Sequence, residues 1–201
     1  MTPIGEFVLA VASKLDMGYA ETVIYMVSCI LVASLLAIAK AQHVSIKPEH
    51  KRNIALSKKI HRQIQRTPDN ALRMKIMRDI HPNVFEELLL TALKSPMRKV
   101  KRNQRYTGDG GLDGKVRIHG QWHLIQAKRY SNHIDPNHVK EFVDLCRREG
   151  CPGLFIHTGK TGEKSRDIIR NADNCTMISG QALCAMVGGE IKIETLLDQA
   201  I

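Results

Sequence analysis

The longest apolar stretch of the chain covers residues 22–39, where no charged side chain occurs. As an α-helix it would span roughly 27 Å, near the lower limit for crossing the hydrocarbon core of a bilayer. The stretch is apolar on every side, whereas a helix that packs on a soluble core usually keeps a polar stripe. The pattern therefore predicts a transmembrane helix over residues 19–41, preceded by an amphipathic N-terminal segment over residues 1–18.

Two alternatives to a membrane span are a buried core helix and a signal peptide. A signal peptide needs a positively charged leader, but Glu6, Asp16 and Glu21 outnumber Lys14 in this region. Positive charge instead follows the apolar stretch, at Lys40, Lys47, Lys51, Arg52, Lys58 and Lys59. The positive-inside rule then predicts a single-pass protein of the inner (cytoplasmic) membrane, with everything after the span in the cytoplasm.

Residues 42–80 combine narrow apolar stripes with many basic side chains, which predicts a basic helical linker. Pro48 and Pro68 can each begin a helix, because proline fits the first helical turn. Apolar residues repeat at helical spacing, as Leu56, Ile60 and Ile64 in the first helix and as Leu72, Ile76 and Ile80 in the second. The basic side chains of residues 43–80 could contact anionic lipid, DNA phosphates or only water, and all three possibilities stay open.

From residue 81 onward, helical and strand-like periods alternate, which is typical of an α/β domain. Phe85, Leu88, Leu89, Ala92 and Leu93 have the spacing of a helical core face. Residues 114–119 and 124–130 alternate apolar and polar positions, which predicts two strands joined by a tight turn at Gly120 and Gln121. The predicted domain over residues 81–201 is completed by a helix over 135–149, strands at 154–157 and 176–178, and a helix from 181.

Charge and composition narrow the classes of partner. The formal charge of +10 and the pI near 9.5 indicate a polyanion, either nucleic acid or an anionic membrane surface. Aromatic residues are only 4% of the chain, which argues against a stacking platform for single strands and favours the backbone of duplex DNA. The five cysteines show no CxxC spacing, so the sequence predicts neither a disulfide framework nor a zinc site.

Candidate chemistry is concentrated in the predicted hairpin. Gln126 and Lys128 are two residues apart on one strand, so their side chains project from the same face, and Asp113 lies where the neighbouring strand begins. A carboxylate with a second oxygen donor can bind Mg²⁺, and a lysine beside it can orient or deprotonate a water. This combination suits phosphodiester hydrolysis, although any surface hairpin can also carry Asp, Gln and Lys without catalytic meaning.

Several motifs, in the same order, resemble the catalytic domain of the Mrr-like restriction endonucleases over roughly residues 82–187. They are Phe85-Glu86-Glu87-Leu88, Gly108-Asp109-Gly110-Gly111-Leu112-Asp113-Gly114, Gln126-Ala127-Lys128-Arg129-Tyr130, the strand at 153–159 and the segment 177–183. The resemblance implies the PD-(D/E)xK nuclease fold, a mixed sheet flanked by helices, and an endonuclease that cleaves duplex DNA with Mg²⁺ or Mn²⁺. It implies that Asp113 is the metal-binding aspartate, Gln126 the glutamine variant of the (D/E) position and Lys128 the catalytic lysine.

Only one of two adjacent glutamates can match the family's helical glutamate. Glu86 shares a helix side with Leu90 and Leu93, at the border of the predicted buried face, whereas Glu87 aligns with Thr91 and Lys94. Glu86 is therefore the predicted metal-site residue, as a direct ligand or through water. An ordinary acid in the first helical turn, favoured by the helix dipole, is the alternative.

Two other classes of function compete with a nuclease. Mrr relatives commonly carry a winged-helix module for choosing DNA, and no stretch of this chain resembles one. The second hypothesis is therefore a membrane-tethered DNA-binding or assembly protein whose nuclease domain no longer cuts, and the third is a basic scaffold that binds only anionic lipid. The presence of Asp113, Gln126 and Lys128 together argues against both. The oligomeric state is not predicted.

Overall fold

The computed structural model describes residues 6, 10, 18–42, 48–103 and 111–199. The predicted amphipathic segment 1–18 and the glycines at 108 and 110 fall almost entirely outside these residues. The chain forms two compact units, Met1–Ser45 and Ile46–Ile201.

The first unit contains helix α1, Tyr19–Gln42. Its described apolar side chains are largely exposed, for example Ile24 at 65% and Leu36 at 65%. Within the part of the chain that the structure describes, no helix combines the length and the hydropathy that crossing a membrane requires. The predicted transmembrane helix is therefore not supported.

The second unit alternates helices with the strands of one sheet. Its helices are α2 Pro48–Arg66, α3 Asn70–Asp79, α4 Pro82–Leu93, α5 Pro136–Glu149, α6 Glu163–Arg170, α7 Gly180–Gly188 and α8 Ile193–Asp198. Its strands are β1 Val100–Arg102, β2 Gly114–Ile118, β3 Gln121–Lys128, β4 Gly153–His157 and β5 Cys175–Ile178.

The five strands lie in sequence order in a mixed sheet. β1, β2 and β3 are antiparallel, whereas β3, β4 and β5 are parallel. The predicted α/β class with a mixed sheet between helices is confirmed. The predicted hairpin turn is off by one residue, because His119 and Gly120 occupy it with φ of 47° and 80°. Positive φ at both central residues is the conformation of the type I′ turn that fits the twist of a two-residue hairpin.

Helices cover both faces of the sheet. One face buries Val116, Ile125 and Ile156 in a core with helices α2, α4 and α7. The other buries Leu124 and Phe155 against α5, where the Phe142 and Phe155 rings are 5.9 Å apart. The parallel strands are thus buried on both faces, as is usual where helices connect them. Polar side chains that could take part in catalysis therefore lie at the ends of the sheet.

The predicted basic linker supplies two helices, α2 and α3, to the same compact unit as the sheet. Helix α2 packs against α4 and α7, and α3 packs against α7. Ile60 and Ile64 of the predicted stripe are buried, but Leu56 and Leu72 are 45% and 49% exposed. In α3 the buried positions are Arg73 and Met77. Arg73 enters the interior because it pairs with Glu190, Nη2 to Oε1 at 2.5 Å, and donates to Asn70 Oδ1, so its charge is compensated there.

Candidate active site

Asp113 lies one residue before β2, beside the end of β3 that carries Gln126 and Lys128. Its backbone N–H donates to the Ile125 carbonyl at 2.9 Å. Its Oδ2 accepts a hydrogen bond from the Ala127 N–H at 2.6 Å. Because β2 pairs with β3 in the register Gly114 to Ile125, Asp113 falls opposite Gln126. Two hydrogen bonds to one strand therefore orient this half-buried carboxylate.

Gln126 is 5% exposed, and its Oε1 has no hydrogen-bond partner among the described residues. Leaving a buried acceptor unpaired costs about 1–3 kcal/mol, so a cation or water bound at this oxygen would recover free energy. Gly111, with φ of +84°, lies so close that a Cβ there would overlap the Gln126 amide nitrogen. The glycine two residues before Asp113 therefore leaves the space that the Gln126 side chain occupies.

Glu86 lies in the second turn of α4 and is half-buried. The pKa of its carboxyl is raised to about 8, chiefly by burial and in addition by the negative charges of Asp113 and Glu87, while the charge of Lys128 opposes the rise. These interactions show that Glu86, Asp113 and Lys128 share one electrostatic environment. Together with the strand register, they bring all four sequence-predicted side chains to the same end of the sheet.

Glu87 is buried and paired, whereas helical spacing had placed it on the side of α4 that carries Thr91 and Lys94. It is 2% exposed, with Oε1 at 2.7 Å from His50 Nε2 and Oε2 at 2.7 Å from Arg102 Nε. Arg102 also donates to Thr91 Oγ1. Both oxygens of Glu87 thus connect α4 to α2 and to β1. The partners are 37 and 15 residues away along the chain, which is why helical periodicity could not find them.

The backbone beyond Lys128 is held by hydrogen bonds to Thr158 and Arg78, which the sequence patterns did not identify as site residues. The Lys128 carbonyl accepts from the Thr158 N–H, and Thr158 Oγ1 both donates to the Tyr130 carbonyl and accepts from the Tyr130 N–H. Arg78 donates two hydrogen bonds to the Thr158 carbonyl, at 2.6 and 2.9 Å. Thr158 lies within the segment 153–159 of the family resemblance, which was the one sequence signal for its position. These contacts restrict the strand end that carries the lysine.

The donor set fits a hard divalent cation. Among the described residues no group of three His, Cys, Asp or Glu side chains could hold a metal. The available oxygens are instead two carboxylates, Asp113 and Glu86, and the unpaired amide oxygen of Gln126. Oxygen donors of this kind suit Mg²⁺, which keeps several waters and needs few protein ligands.

The five-stranded mixed sheet flanked by helices fits a restriction-endonuclease-like fold. A family model described as "Restriction endonuclease", Mrr_cat, matches residues 77–187, which is more than half of the chain. The chain belongs to this family of Mrr-like catalytic domains. The comparisons with curated proteins and with solved structures gave no match.

The raised pKa of Glu86 leads to a prediction for stability. The folded protein retains a proton that the unfolded chain releases between its ordinary pKa of 4.5 and about 8. Wild-type stability therefore falls as pH rises through that window, by at most about 1.4 kcal/mol per pH unit. Glu86→Gln, which cannot ionise, should be more stable than the wild type at pH 9 and similar to it at pH 5, in urea unfolding with a chelator present.

The matched control for this prediction is Glu141→Gln, which removes an exposed carboxylate from α5. Its stability difference from the wild type should be the same at pH 5 and pH 9, because water already solvates that charge. An equal difference at both pH values for Glu86→Gln would contradict the burial of its charge.

Proposed function

We propose that this protein is a metal-dependent endonuclease that hydrolyses phosphodiester bonds of duplex DNA. Membership in the restriction endonuclease family supports a DNA nuclease. The observation that carries the metal dependence is the buried, unpaired Oε1 of Gln126 beside the oriented carboxylate of Asp113. In this proposal Asp113, Gln126 and Glu86 bind Mg²⁺ or Mn²⁺, and Lys128 is the catalytic lysine.

The chain's own residues have separate tasks in this reaction. A bound divalent cation would supply charge stabilisation on the phosphate and lower the pKa of an attacking water. Asp113 is held in position by the Ala127 N–H. Glu86, whose carboxyl is protonated at neutral pH in the metal-free protein, must release its proton to become a ligand. Lys128, two residues from Gln126 on the same strand face, orients the attacking water through Nζ or, once its ammonium has given a proton to solvent, takes the proton of that water.

The proposed substrate follows from charge as well as from family. The chain carries 30 Lys and Arg against 20 Asp and Glu, and such an excess favours a polyanion through release of counterions. Arg78 and Arg129 lie where β3 and β4 end, since Arg78 donates to Thr158 and Arg129 donates to the Arg78 carbonyl. Their charges add to the attraction for phosphates near Lys128.

Cleavage of DNA by the full chain tests the proposal. Supercoiled plasmid and linear duplex should be nicked or cut with Mg²⁺ or Mn²⁺, and a chelator should stop the reaction. If the wild type binds duplex but cuts it with neither metal, the chain is a non-cutting DNA-binding protein of the same family. A chain that neither binds nor cuts duplex would contradict both readings.

The inner-membrane location stays a prediction from the sequence, as does contact of residues 43–80 with anionic lipid. If it is correct, the full chain should sediment with membranes and resist carbonate extraction, and its C-terminus should be accessible only from the cytoplasmic side. Recovery in the soluble fraction would overturn the prediction without affecting the nuclease proposal, because the active-site residues all belong to the unit Ile46–Ile201.

The contact between Gly111 and Gln126 gives a second prediction. Gly111→Ala should slow single-turnover cleavage by about tenfold to a hundredfold, because a Cβ there would displace the Gln126 amide. Gly150→Ala is the control, since Gly150 also has positive φ but a Cβ added there would meet no atom within 4 Å. Both variants should lose some stability from backbone strain, and only Gly111→Ala should lose rate. Equal rates in the two variants would show that Gln126 is not restricted by this contact.

A further inference from the structure

A cavity of about 850 Å³ opens far from the proposed catalytic residues. Three segments form its walls, namely the turn over residues 95–99 before β1, the tip of the β2–β3 hairpin, and the chain just before and within α8. Lys128 lies at the other end of β3, seven residues beyond Gln121, which corresponds to roughly 24 Å along an extended strand. The cavity is therefore a separate feature from the proposed active site.

Positive charge dominates the lining of this cavity. Its charged side chains are four cations and one carboxylate: Arg98, Lys99, Arg117, Lys192 and Glu194. Glu194 is already paired with Arg98, Oε2 to Nη1 at 3.0 Å. The other three cations have no ion-pair partner among the described residues. A concave surface with an excess of positive charge concentrates the electrostatic potential, so the cavity attracts anions.

Two of the cations are fixed before any ligand arrives. Arg98 Nε donates to Ser95 Oγ at 3.1 Å, and its half-buried guanidinium also donates to Glu194. Arg117 Nε donates to the Gly120 carbonyl at 2.8 Å, and its backbone N–H joins the hairpin to Lys99 through the Lys99 carbonyl. The terminal nitrogens of Arg117 make no hydrogen bond with the described residues. A guanidinium fixed in this way matches phosphate oxygens, and binding costs less side-chain entropy.

We propose that this cavity is an accessory phosphate-binding site. Its volume lies in the range of small-molecule sites, and three unpaired cations around one concavity are suited to a group with two or more negative charges. The phosphate could belong to the backbone of a bound duplex that extends beyond the active site, or to a free phosphate-bearing small molecule. In both cases a phosphate group would bind to the same cations of the cavity. The inference does not depend on the proposed metal chemistry.

The test uses the full chain without metal and two probes, pyrophosphate and a 30-base-pair duplex. The variant is Arg117→Gln with Lys192→Gln, because both side chains are exposed and their loss leaves the core intact. Calorimetric titration should show pyrophosphate binding about tenfold or more weaker than in the wild type. Arg148→Gln removes an exposed arginine of α5 as the matched control, and it should bind pyrophosphate like the wild type.

The duplex titration, repeated at several salt concentrations, identifies the source of the phosphate. If the backbone of DNA occupies the cavity, the double variant should bind duplex more weakly and its salt slope should fall by about two units. If the occupant is a small molecule, only pyrophosphate binding should weaken. A double variant that binds both probes as tightly as the wild type would overturn the proposal. Because no cleavage is measured, an inactive nuclease would leave these outcomes unchanged.

Discussion

Replacing Lys128 by alanine is expected to reduce the single-turnover rate of duplex cleavage about a hundredfold or more, the usual scale for losing a positioned proton-transfer group. The fold should persist, because the hydrogen bond shown at this residue uses its backbone carbonyl and the Thr158 N–H. Affinity for duplex should change little, since the proposed partner of this amine is the attacking water, whereas counterion release depends on contacts with phosphates. Rates measured at saturating DNA separate these two effects.

Lys101→Ala is the matched control for Lys128→Ala. Lys101 is an exposed lysine on the edge strand β1, so its loss should weaken binding and lower the salt slope by at most about one unit. Its cleavage rate at saturating DNA should equal that of the wild type. If Lys128→Ala behaves in the same way as Lys101→Ala, Lys128 belongs only to the basic surface and has no role in the chemical step.

Asp113→Asn is expected to have an equally large effect through the metal. The asparagine oxygen can still accept the Ala127 N–H that Asp113 Oδ2 accepts at 2.6 Å, so the hairpin should keep its geometry. The negative charge is lost, however, and removing a direct ligand should exceed the 10- to 100-fold losses known for outer partners of metal sites. We expect at least about a hundredfold slower cleavage and a higher metal concentration for half-maximal rate.

Asp135→Asn provides the control for this charge removal. Asp135 caps α5 and accepts the Asn137 N–H with Oδ1 at 2.9 Å, and asparagine caps helices about as well as aspartate. Its cleavage rate and metal requirement should match those of the wild type. Wild-type metal dependence in Asp113→Asn would remove Asp113 from the proposed ligand set.

The elements of the sheet were predictable because their signals are local. Alternating apolar and polar residues located β2 and β3, and Pro136 and Gly150 bound α5 as expected for a first-turn proline and a left-handed C-cap. The turn position was wrong by one residue, since Gly120 can serve as either central residue of a two-residue turn. Strand register decides between the two possibilities, and it depends on which side chains the sheet buries.

The positions of buried charges were not predictable from periodicity. Leu72 was assigned to a core face but is half exposed, whereas Arg73 beside it is buried. The reason is that Glu190, more than a hundred residues later, pairs with Arg73 and so offsets the free-energy cost of burying its guanidinium. Glu87 is buried for the same reason, through His50 and Arg102. Helical spacing shows which residues share a side, but it does not show which distant group will neutralise a charge.

By itself, the sequence determined the α/β class, the family and the identity of the candidate residues Glu86, Asp113, Gln126 and Lys128, because these follow from local patterns and from motifs in order. Only the tertiary structure decided that Glu86 approaches Asp113 while Glu87 pairs elsewhere, that Gln126 retains an unpaired buried oxygen, and that helices α2 and α3 pack in the same unit as the sheet. Each of these depends on burial and on charges far apart in the chain. Their energies are set by neighbours that only folding brings together.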